Sequence, residues 1–121
     1  MGGGADGIRE DPVAGIDRNG GSTVVRLAGE LDLYNAGAVR EALLACTEES
    51  PDRLVVDLSG VNFIDSTALG VLIEARTRMA NRRGFLLAAP GLETRRALEI
   101  SGLDKHFTVH ESLDEALAAS L

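Results

Sequence analysis

Short apolar runs, RLVVDLS (residues 53–59), FLLAA (85–89) and HFTVH (106–110), are separated by longer stretches whose apolar residues recur every three or four positions. This alternation constrains the fold more than any other feature of the chain. The runs have the length and two-sided hydrophobicity of strands covered on both faces, and the stretches between them have the period of amphipathic helices. A strand–helix–strand succession of this kind builds parallel strands joined by right-handed crossovers. Upstream, VAGI (13–16) reads as a weak short strand and Asn19-Gly20 as a hairpin turn, since both residues tolerate positive φ. TVVRLAGELDL then alternates, with Val25, Leu27 and Leu31 on one face and Arg26, Glu30 and Asp32 on the other. The expected fold is α/β: a mixed, mostly parallel sheet of four or five strands with about four helices.

The helices carry their own punctuation. The first has Asn35 as its expected N-cap, Ala36, Val39, Leu43 and Cys46 on its apolar face, and Pro51 beyond its end. GVNFID (60–65) reads as a loop. A second helix is expected to begin near Ser66, with Ala68, Leu72, Ala75 and Met79 inward, Glu74 and Arg78 paired outside, and Gly84 available as a left-handed terminator. PGLETRRALEISG predicts a third helix between Pro90 and Gly102, and Ser112 with Glu115 forms an S-x-x-E capping box that opens a fourth.

Composition narrows the class of protein. A chain of 121 residues is the size of one domain and buries enough surface to fold without metals or disulfides. The absence of Trp and a 3% aromatic content leave the core to Leu, Val, Ile and Ala, and the single Cys46, on an apolar helix face, fits core packing in a reducing compartment. A formal charge of −7 argues against a nucleic-acid backbone as partner. No apolar run approaches the ~20 residues that span a bilayer, and MGGGADGIREDP lacks the basic and hydrophobic regions of a signal peptide. Residues 1–11 are expected to be a flexible tail, residues 12–121 the domain, and the compartment the cytoplasm.

Function concentrates in IDSTALG (64–70). The carboxyl ends of parallel strands share one edge of a sheet, where ligands and partners tend to meet it. Asp32, at the end of GELD, and the segment leading to Ser66 are expected on that edge together. Ser is among the best N-caps, so Ser66 has a purely structural reading. The same position also exposes a hydroxyl at the mouth of a helix, within reach of a modifying enzyme.

These residues resemble a known family. VVDLSGVNFIDSTALGVLIEA (55–75) is similar to the central segment of the STAS-domain anti-sigma factor antagonists, VVRLAGELDLYNA (24–36) looks like their G-E-L-D strand, and ALEISGLDKHFTVHESLDEALAA (97–119) resembles their tail. The resemblance spans residues 12–119 and implies a STAS fold. It further implies that Ser66 is phosphorylated by a partner that is both anti-sigma factor and serine kinase, that the unphosphorylated chain binds this partner and frees the sigma factor, and that a serine phosphatase restores the bound state. On this basis Asp32, Asp65, Ser66, Thr67, Ala68 and Gly70 are the expected partner-binding residues. No catalytic activity and no cofactor are expected of the chain itself, since ATP and magnesium belong to the kinase. Ala68 stands where the family usually has Gly, adding a methyl at a position where a partner backbone is expected to approach.

A non-switching STAS subunit, either a signalling scaffold or a lipid-transporter accessory protein, is the alternative. A small hydrolase using Ser66 with His106 or His110 is weaker still, because IDSTA lacks the G-x-S-x-G elbow. Two His and one Cys without close spacing imply no metal site. Arg76, Arg78, Arg82 and Arg83 read as a solvated helix face.

Overall fold

Why the strand signals become one sheet is visible in their pairing. The computed structural model describes residues 10–121, so most of the expected tail, residues 1–11, lies outside the described residues. Strands β1 (Val13–Asn19), β2 (Ser22–Leu31), β3 (Arg53–Ile64), β4 (Phe85–Ala88) and β5 (Thr108–His110) lie side by side in chain order. β1 and β2 form an antiparallel hairpin, and every later neighbour is parallel. Helices α1 (Ala36–Glu48), α2 (Ser66–Arg78) and α3 (Leu92–Ser101) make the crossovers, and α4 (Leu113–Ala118) ends the chain's regular structure. This is the mostly parallel α/β sheet expected from the alternation of periods.

Because successive strand residues point to opposite faces, neighbouring apolar residues divide between two cores. Val25, Leu54, Val56, Phe85 and Leu87 pack with Leu43, Leu72 and Leu98 from α1, α2 and α3. Val24, Val55, Leu86 and Ala88 face the other way, onto Ala116 of α4. The predicted apolar faces are all buried: Ala36, Val39, Leu43 and Cys46 on α1, and Ala68, Leu72, Ala75 and Met79 along α2. α3 ends as expected on Gly102, whose φ of 77° is a left-handed conformation that glycine adopts without a Cβ penalty.

Several boundaries differ from expectation. VAGI is part of a seven-residue strand, and the hairpin turn is Gly20-Gly21, because Asn19 still pairs with Ser22. GVNFID is not a loop. β3 continues through it, paired with β2 as far as Leu31 and Ile64, and two irregularities in the β2 register absorb the mismatch. Gly84 does not terminate α2, which stops at Met79 in extended backbone. Its role is steric, since a Cβ there would run into the carbonyl oxygen of Asp52.

Candidate functional site

The continuation of β3 brings the site together. Its last residues run beside the end of β2, so the loop after β2 and the start of α2 share one rim of the sheet. Asp65 joins them. Its N–H donates to the Leu31 carbonyl at 3.0 Å, its Oδ1 accepts the Ala68 N–H at 3.0 Å, and its Oδ2 accepts the Leu33 N–H at 3.1 Å. Asp65, in extended backbone, is therefore the N-cap of α2. The structural reading of Ser66 as that cap is corrected: Ser66 is the first helical residue. With Asp65 satisfying the helix start, the Ser66 and Thr67 side chains are exposed, and among the described residues no group is hydrogen-bonded to either hydroxyl.

Asp32 lies on the same rim. Its Oδ1 accepts the Tyr34 N–H at 3.0 Å, and its own N–H donates to Asn35 Oδ1 at 2.9 Å. Asn35 precedes α1, but its side chain does not cap that helix. Instead Nδ2 donates to the Glu30 carbonyl at 2.7 Å, so the residue braces the loop. Gly70 stands one turn after Ser66 on the same helix face, exposed, and a Cβ there would meet nothing. Ala68 departs from expectation. Its methyl is buried in the main core and is not presented on the rim, because the helix register turns position 68 inward.

The sequence reading missed an apolar part of this rim. Leu33, Tyr34 and Phe63 are 63, 84 and 47% exposed, the first two in the loop braced by Asp32 and Asn35, the third next to Ile64 at the end of β3. Phe63 is paired with Glu30, one strand away. The alternation gave no clear signal for Phe63, because it shares the strand phase of the buried Val61 and is turned outward by the register irregularity between them.

Behind the rim, Arg40 of α1 donates to both carboxylate oxygens of Glu74 on α2 at 2.7 Å. The hydrogen bonds and charge of that guanidinium hold the Glu74 carboxyl below its ordinary range, with a weaker pull from Arg78. As a partly exposed pair it adds little stability, and it links the surfaces of two helices already packed through the shared core.

Other candidates are not assembled. His110 is level with Ala88 and Asp57 in the sheet, eight residues before Asp65 along β3, which at about 3.3 Å per residue leaves it more than ~20 Å from the start of α2. Ser66 and His110 are not a catalytic pair. Among the described residues no three His, Cys, Asp or Glu side chains are grouped to hold a metal ion, and no helix is long and apolar enough to cross a membrane.

Known proteins are similar to this chain in sequence and in fold. The STAS domain family matches residues 14–116. The anti-sigma-F factor antagonist RsfB of Mycobacterium tuberculosis is 37% identical over 101 residues, covering 84% of this chain and 82% of its own length. The anti-sigma-B factor antagonist of Bacillus subtilis is 34% identical over 90 residues, 73% of this chain and 81% of its own. Among solved structures, an anti-sigma factor antagonist from Mycobacterium paratuberculosis superimposes with a TM-score of 0.79 at 37% identity, covering 84% of this chain and 87% of that one.

Proposed function

This chain belongs to the STAS domain family, with anti-sigma factor antagonists as its relatives, and from that premise we propose that it works by partner switching at Ser66. Unphosphorylated, residues 12–121 form a domain that binds an anti-sigma factor with serine kinase activity in the cytoplasm and so releases a sigma factor. Phosphorylation of Ser66 by that partner ends the binding, and a serine phosphatase reverses it. The chain acts as a regulator, without chemistry of its own. Asp32, Asp65, Thr67 and Gly70 shape the surface that the partner covers.

One observation carries this reading: Asp65, not Ser66, caps α2, and the Ser66 side chain is left exposed. A phosphate there adds about −1.5 to −2 charges. The free N–H groups and dipole of a helix start favour an anion by roughly 0.3–1 kcal/mol, up to about 2 when partly buried, whereas a carboxylate ~4 Å away opposes it by about 4 kcal/mol at an effective dielectric of 20, less when solvated. Inside the free domain these effects partly cancel, and solvent at this exposed position weakens the repulsion further, so phosphorylation causes no large refolding. Against a partner shaped for a neutral hydroxyl, a dianion loses hydration and meets the acidic groups of this rim. A few kcal/mol is enough, because each 1.4 kcal/mol changes affinity about tenfold.

The test is a pull-down with the cognate anti-sigma factor. Ser66→Ala retains binding and Ser66→Asp loses it. Equal retention by both contradicts the switch and favours the scaffold or transporter-accessory role.

A further inference from the structure

We infer that Tyr34 and Phe63, with Leu33 beside them, are the affinity anchors for the anti-sigma factor, while Ser66 controls attachment without supplying most of its strength. The inference rests on the partner-switching reading and assigns that partner a chemistry: an apolar pocket bordered by basic side chains.

The distribution of aromatic residues is the first argument. The chain has one Tyr, three Phe and no Trp. Phe85 and Phe107 are buried and packed together with ring centroids 6.0 Å apart. The other two, Tyr34 and Phe63, are exposed on the rim that carries Ser66. Aromatic side chains bring the largest apolar areas to a core or an interface, and they are enriched among residues that dominate binding. A chain this poor in aromatics leaves half of them in water at one place.

The second argument is rigidity. The Leu33 and Tyr34 N–H groups are held by the carboxylates of Asp65 and Asp32, and Asn35 fastens the same turn to the Glu30 carbonyl and the Asp32 N–H. Phe63 sits in a paired strand. Side chains presented on ordered backbone cost less to immobilise on binding.

The third argument is reach and charge. A stable interface covers roughly 800 Å² and some 20–30 residues on each side. Leu33 is bonded through its N–H to Asp65, the residue before Ser66, and Phe63 is three residues before Ser66, so a partner centred on Ser66 covers this patch. Asp65 borders it, and in a chain of formal charge −7 this rim favours an occupant carrying cationic groups over a second copy of the same acidic chain.

Calorimetric titration of the full chain against the cognate anti-sigma factor tests this, with wild type, Tyr34→Ala, Phe63→Ala and Ser66→Asp measured in parallel and their thermal midpoints recorded. Each aromatic truncation is expected to weaken binding about ten- to a hundredfold while leaving the thermal midpoint close to wild type, and to raise the KM of Ser66 phosphorylation more than it lowers kcat. Wild-type affinity in both aromatic variants, with Ser66→Asp still failing to bind, overturns the anchors and leaves the switch intact. No binding by the wild-type chain overturns both. Sedimentation showing that wild type is a dimer and the aromatic variants are monomers assigns the patch to a second copy and overturns the inference as well.

Discussion

At the start of α4, Ser112 lies in extended backbone and its Oγ accepts the Glu115 N–H at 3.1 Å. At the start of α2, Asp65 takes that place, with its Oδ1 on the Ala68 N–H at 3.0 Å, and Ser66 follows as the first helical residue. Both helices begin around a serine, yet one hydroxyl oxygen is engaged in the fold and the other faces solvent. The difference lies in which neighbouring residue satisfies the free N–H groups of the first turn. Modifying a serine that caps a helix alters the capping oxygen itself. A serine placed after an aspartate cap can gain or lose a phosphate while the helix start stays closed.

The comparison can be broken or sharpened by four substitutions. The largest effect is expected in binding. Ser66→Asp lowers affinity for the anti-sigma factor by about a hundredfold or more, whereas Ser66→Ala stays within a few-fold of wild type, as read by surface plasmon resonance. Next is Asp65→Ala, which removes the α2 cap together with the bond to the Leu33 N–H. Urea denaturation is expected to show a loss of about 1–2 kcal/mol, and hydrogen exchange at Leu33 and Ala68 is expected to speed up. Ser112→Ala, which removes a cap alone, is expected to cost about 1 kcal/mol in the same assay. The smallest effect belongs to Ser66→Ala, with a stability change below about 0.5 kcal/mol, the range of surface substitutions that touch nothing. If Ser66→Ala destabilised the fold as much as Ser112→Ala, the contrast between the two helix starts would be wrong.

The same contrast shows what the sequence makes legible. Ser112 was readable as a cap because S-x-x-E is a local signature whose partners lie within one turn. Asp65 and Ser66 were not separable in that way. Both residue types cap well, and only the backbone, extended at 65 and helical from 66, decides between them. The strand–helix alternation was readable because each period is written within one segment, and the apolar faces of α1 and α2 fall where their spacing puts them. The extension of β3 through Asn62 was hidden, because Ser59, Gly60 and Asn62 are turn-favouring residues and the pairing that overrides them comes from β2. Gly84 misled for a related reason: glycine signals either a left-handed turn or a close approach, and here the approaching group is the backbone of Asp52. Tyr34 and Phe63 belong to no periodic pattern. Their shared position on one rim follows from the sheet and not from their separation in sequence.

The central claim is that Ser66 is the modifiable group of this rim and that its modification governs attachment. Its most direct test is to incubate the full chain with the cognate kinase–anti-sigma factor and magnesium-ATP, locate any phosphate by peptide mass spectrometry, and pass the product over a column bearing the same partner. The account predicts one phosphate, on Ser66, and a phosphorylated chain that no longer binds. A phosphate on another residue, or a Ser66-phosphorylated chain that binds as well as the unmodified one, would contradict it.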